Sequence, residues 1–211
     1  MATITVTDAL AELTLLEKRI LSATGALGDN TLIAIVKVEK VPTGFNSRQE
    51  HATKARAALQ RVEDLISRRR IIKRAIVLSN ASTMVTVANE EMTVAEAIEM
   101  KNFIHYYDGV LNIMQLAHKQ TLKQFQVEQA KVQERLDKLA LEVFGKNETV
   151  SSEEYQSLAD SFLAREGVEL LDPTNLAEEL ERRQGFIEEF TSTVDRVLSI
   201  SNARTMIEIP D

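Results

Sequence analysis

Apolar residues recur at alternating steps of three and four through most of this chain, the period of one face of an α-helix. From about Ser47 the stripe runs through Ala58, Val62, Leu65, Ile72 and Ile76, with Arg69 interrupting it. Another runs through Leu176, Leu180, Ile187, Phe190, Val194 and Val197, with Arg183 interrupting it. Both suit antiparallel helix packing or a short coiled coil. The largest predicted element is a central helix over 93–144, roughly 78 Å long if unbroken at about 1.5 Å per residue. Its seam passes through Leu111, Met114, His118, Leu122, Phe125, Gln129, Val132, Leu136, Leu139 and Val143, which is heptad spacing. A helix of that length projects from a 23.6 kDa globule or bends back, near Gly109 or at an unmarked break.

Capping residues mark where helices start. Thr93 with Glu96, Ser47 with Glu50, and Ser151 with Glu154 read as capping boxes. Asp172 followed by Pro173 reads as an N-cap and a first helical residue. Thr5 or Thr7 caps a first helix that runs to about Ala23, and Gly25, Gly28, Asp29 and Asn30 break it. Gly145, Lys146 and Asn147 end the central helix, a shorter helix follows over about 151–164, and Gly167 leads to the last one. Residues 32–41 alternate nearly enough, with Val36, Val38 and Val41, to read as a strand that Pro42 and Gly44 end.

The most specific signal is internal. Leu78-Ser-Asn-Ala-Ser-Thr-Met-Val-Thr-Val87 recurs as Ile200-Ser-Asn-Ala-Arg-Thr-Met-Ile-Glu-Ile209, each copy ending a long amphipathic helix. Asn tolerates left-handed backbone angles, so each copy reads as helix, break, then short strand. Strand candidates are therefore 32–41, 83–88 and 203–209. A two-stranded ribbon is marginal alone, and open strand edges invite pairing with another copy of the chain. The residues singled out for that pairing are Met84, Val85, Val87, Met206, Ile207 and Ile209; those for a coiled-coil seam are Phe125, Val132, Leu136, Leu139 and Val143.

The predicted fold class is mainly α: a long antiparallel helical bundle or coiled-coil arms with a small β element of two or three short strands. Residues 1–118 and 172–211 make the helical core with that β element, and 119–171 a protruding helical arm continuous with it. Composition agrees. With 7 Gly and 3 Pro in 211 residues there are few turn-formers for a many-stranded sandwich. The absence of cysteine excludes disulfide scaffolds, thiolate metal sites and Cys nucleophiles. A net charge of −7 opposes general phosphate binding, so no direct nucleic-acid partner is expected. Residues 1–7 lack the basic and apolar regions of a secretory signal. The longest purely apolar run, 32–36, is far short of the about 20 residues of a spanning helix. The expectation is a soluble protein that starts life in a reducing cytosol, with no membrane partner.

Candidate chemistry is sparse. Arg68, Arg69, Arg70, Lys73 and Arg74 form one basic cluster, but on a helix they spread around the circumference and no aromatic residues interleave for base stacking. They read as salt-bridge partners of acidic helices. His105, Tyr106, Tyr107 and Asp108 are consecutive and do not converge, and no second His stands four positions away. His118 and Gln129 sit on the seam, where polar residues set register. Glu90 and Glu91 read as a solvated loop before Thr93. Glu153, Glu154, Glu178 and Glu179 favour helix N-termini. No Gly-rich phosphate loop or nucleophile elbow is present, and no cofactor or metal is implied.

Residues 7–20, from Thr7 to Ile20, resemble the N-terminal helix of the septicolysin-like proteins, a group of bacterial and phage helical proteins. Val62 to Ile66, Ser79 to Thr83 and Thr93 to Ile98 resemble that family's central signature, and Asn202 to Thr205 its closing segment. The resemblance covers roughly 3–118 and 172–209; residues 119–170 depart from it as an extended helical arm. It implies a mainly helical fold with a small β element and ring-like homo-oligomers, and it brings no catalytic residues. The reading is a non-enzymatic structural protein of a bacteriophage or prophage virion, partnered by copies of itself and by other virion proteins, and located in the virion. The alternatives are an intracellular, cytoplasmic coiled-coil adaptor or scaffold and a pore-forming cytolysin-like protein.

Overall fold

A computed structural model describes residues 2–28, 31–145 and 151–210. The fold is mainly α. In chain order the elements are β1 (Ala2–Thr5), α1 (Val6–Gly25), α2 (Arg48–Ser82), β2 (Met84–Val87), β3 (Glu90–Thr93), α3 (Val94–Phe144), α4 (Ser152–Glu166), α5 (Leu176–Arg204) and β4 (Met206–Ile209). The chain divides into two compact units, one of residues 1–102 and 189–211, the other of 103–188.

Caps explain why the helices begin where they do. The Thr5 hydroxyl accepts the Asp8 N–H at 3.0 Å and opens α1. Thr93 and Glu96 form a reciprocal box: the Glu96 carboxylate accepts the Thr93 N–H at 2.7 Å, and the Thr93 hydroxyl accepts the Glu96 N–H at 3.1 Å. Ser151 and Glu154 do the same for α4. Ser47 caps α2, but the returning Glu50 carboxylate takes the Asn46 N–H at 2.8 Å instead of that of Ser47. The last helix starts later than Pro173 suggests: Asp172 still caps it, accepting the Leu176 N–H at 2.7 Å, and Asn175 turns the chain with φ 50°. The central helix does not break at Gly109; α3 is one segment of 51 residues. Gly145, with φ 68°, closes it, while Lys146, Asn147, Asp29 and Asn30 lie outside the described residues.

The strands depart most from expectation. Residues 32–41 form no strand. Among the described residues no strand pairs with them; instead Arg48 donates to the Lys40 carbonyl at 2.8 Å and the Lys37 carbonyl at 3.2 Å, clamping a turn in which Glu39 has φ 64°. Glu90 and Glu91 are not loop: they belong to β3, which pairs antiparallel with β2 in the register Val85–Met92 and Val87–Glu90. Ala88 and Asn89, with φ 49° and 61°, make the tight turn between them, the backbone of a type I′ hairpin. The strand at 206–209 pairs antiparallel with β1, in the register Ile4–Ile207 and Ala2–Ile209.

These two ribbons make a structural repeat inside the first unit. In each, a helix ends on Ser-Asn-Ala-x-Thr, a strand follows, and an antiparallel strand leads straight into a Thr-capped helix. The Val6 N–H donates to the Thr205 carbonyl at 3.0 Å, and the Val94 N–H to that of Thr83 at 2.9 Å. One copy is continuous, from α2 to α3; the other joins α5–β4 to β1–α1, which stand at opposite ends of the sequence. Around the second copy lies a core of Val6, Ala9, Leu13 and Leu16 from α1, Ile72 and Ile76 from α2, and Ile207 and Ile209 from β4. Each Val, Leu or Ile buried there contributes about 1.5–3 kcal/mol before chain entropy is counted.

Candidate functional site

Strand alternation splits the six ribbon residues in two. Val87, Ile207 and Ile209 are buried, whereas Met84 and Met206 stand more than half exposed and Val85 is half-buried. Inward side chains hold each ribbon on its helices; only the outward ones are offered to a partner. The ladder itself is also one-sided. Since Val6 donates to Thr205, the hydrogen-bonded pairs with β1 fall on Ile207 and Ile209. Met206 and Glu208 therefore turn their N–H and C=O groups to the far edge of β4, and among the described residues nothing pairs with them.

That edge borders a groove of about 620 Å³ between β4 and the C-terminal half of α2. Ile71, Ala75, Leu78 and Met206 give it an apolar lining, and Arg74 and Glu208 put opposite charges on it. Leu78 is 61 % exposed and Met206 55 %. Two other members of the basic cluster meet neighbouring elements: Arg68 reaches Glu12 of α1 at 2.9 Å and the Pro210 carbonyl at 3.0 Å, and Arg69 reaches Glu17 of α1 at 2.9 Å.

In the second unit, Val132 and Leu136 of the seam are buried, Phe125 and Leu139 are half-buried, and Val143 is exposed. Arg135 reaches Glu166 of α4 at 3.1 Å, and a groove of about 970 Å³ separates Gln129–Gln133 from the end of α4 and the segment after it. One face further round α3 is a second stripe, Phe103, Tyr106, Val110 and Ile113, at steps of three, four and three. These four side chains are 48–71 % exposed.

No catalytic constellation assembles from the remaining candidates. The Tyr106 ring packs on those of His105 and Phe103, at 4.0 and 4.5 Å, while Tyr107 turns to Phe186 at 6.2 Å. His118, half-buried, lines a small cavity with Leu122, Leu170 and Asp172. The Leu176 N–H holds the Asp172 carboxyl below its ordinary range. Arg182 and Arg183 hold Glu179 down to about 2, and Lys54 together with the Asn46 N–H holds Glu50 to about 2. Each of these carboxylates caps or staples a helix. Among the described residues no cluster of His, Asp or Glu has the makings of a metal site, and no helix is long and apolar enough to cross a membrane.

No family model, curated protein or solved structure matches this chain. Its features are surfaces: in the first unit two ribbons with open edges, one of them over an apolar groove, and in the second a stretch of α3 apolar on two adjacent faces. The sequence picked out β2 and β4 but missed their partners. A signal for them exists: Ile4-Thr5-Val6 with Asp8-Ala9 matches Met92-Thr93-Val94 with Glu96-Ala97, the second half of the same repeat.

Proposed function

We propose that this chain is a non-enzymatic structural protein whose copies associate into a homo-oligomeric, ring-like assembly of a bacteriophage or prophage particle. The observation that carries self-association is the outer stripe of α3. A helix polar on one side and apolar along one stripe lies on a core; one apolar along two adjacent stripes suits neighbours on both. Leu111, on the inner stripe, is buried in its own chain, yet Ile113 is 71 % exposed. A helix from another copy, set against Phe103, Tyr106, Val110 and Ile113 in knobs-into-holes fashion, covers that stripe. The ring form and the particle, with other virion proteins as further partners, rest on the resemblance to the septicolysin-like proteins.

Sedimentation equilibrium on the full chain and on a Tyr106→Glu, Ile113→Glu variant tests the reading. The unaltered protein should sediment at a multiple of 23.6 kDa, and the variant at a clearly lower mass with its helical circular dichroism kept. An unchanged variant mass contradicts the role of this stripe. An unaltered protein that stays a monomer contradicts the assembly and turns the reading to a scaffold for the helix of another protein.

A further inference from the structure

We propose that residues 32–41 of a second copy of this chain add as a strand to the open edge of β4, in the groove against α2. The inference rests on the self-association reading and names its donor and acceptor. The donor segment carries a strand's sequence without a strand's partner. Ile33, Ile35 and Val38 are 80–100 % exposed, an arrangement that leaves apolar surface in water. Leu32, Ala34, Val36 and Val38 lie on one face of such a strand and Ile33 and Ile35 on the other, the pattern of a strand covered on both sides. Its present turn is clamped by Arg48 and puts Glu39 in the left-handed region, which costs a non-glycine residue roughly 1–2 kcal/mol. Extending the segment relieves that strain.

The acceptor matches. Met206 and Glu208 present unpaired backbone groups along the edge, and the groove floor of Ile71, Ala75 and Leu78 takes the inward side chains of an added strand. Arg74 and Glu208 on the groove answer Glu39 and the pair Lys37 and Lys40 on the donor. A second copy is the natural source. In its own chain the clamp of Arg48 fixes Lys37 and Lys40 at the first turn of α2, and from there to Ile71 the helix rises about 34 Å. Donor and acceptor are different surfaces, so the contact is head-to-tail, the kind that forms a ring where the rotation between copies closes.

The chain has no cysteine, so single-cysteine variants report cleanly. Ile35→Cys and Met206→Cys chains, carrying different tags, are co-expressed and treated as the intact assembly with a short bis-maleimide. The expected product is the 35-to-206 heterodimer in excess over both homodimers, and a Val36→Pro, Lys37→Pro variant, which removes a ladder N–H in either register because successive strand residues alternate edges, should lower the assembly's mass with circular dichroism unchanged. A dominant 35-to-35 product, a link within one chain when both cysteines are placed together, or an unaffected assembly of the double-proline variant each overturns the inference. An oligomer without the 35-to-206 product overturns it while leaving the proposed function standing; a monomer overturns both.

Discussion

The carboxylates that matter here cap helices or staple one turn to the next. Glu50 and Glu179 are half-buried, and hydrogen bonds from Lys54 and Asn46, and from Arg182 and Arg183, hold each near 2, well below the ordinary 4.5. A carboxyl depressed on folding stabilises the native state above its unfolded value, and that contribution fades as pH falls through the folded one. A Glu50→Gln, Glu179→Gln variant should therefore melt lower than the unaltered protein at pH 6, with the gap closing as pH falls from 4.5 towards 2. Thermal melts followed by circular dichroism across that range check this; a gap independent of pH contradicts it. The effect is small because these groups face water, where screening weakens every such pair.

At the scale of elements, the β2–β3 hairpin is held in a turn that one of its residues resists. Ala88 sits at φ 49°, a conformation glycine adopts freely and alanine does not. Ala88→Gly should raise stability to denaturant by about 0.5–1 kcal/mol, the left-handed penalty less the entropy glycine adds to the unfolded chain. A loss of stability would mean that the methyl group itself packs. The helices were legible because periodicity and capping are local: Ser47, Thr93 and Ser151 each sit at the starts their sequences announce. Strands are not local. Ala2–Thr5 is too short to signal itself, and its partner stands at the other end of the sequence. Glu90–Thr93 carries two acids with poor strand preference and pairs because the hairpin brings it to β2. Residues 32–41 have the better strand sequence of the three and form none, since a strand needs an edge to pair with and none of the described residues offers one beside them.

At the scale of the molecule, the chain carries surplus apolar surface. The first unit buries Phe190, Ile72 and Ile209 completely and leaves no polar side chain buried among the described residues, so its core is complete. What remains outside is apolar and ordered by pattern: the segment 32–41, the edge of β4 over its groove, and the outer stripe of α3. Of the candidate site, the sequence showed the strand residues and the seam but not which of them face outward. That depends on the ladder phase set by the Val6–Thr205 hydrogen bond, which no periodicity reveals. A net charge of −7 repels like copies, so the proposed association would rest mainly on apolar contact and should survive salt that screens charge. Light-scattering mass of the unaltered protein, measured on dilution through the micromolar range at low and high salt, is the most direct test. A discrete multiple of 23.6 kDa that persists in high salt is the predicted result; 23.6 kDa at every concentration would contradict the account.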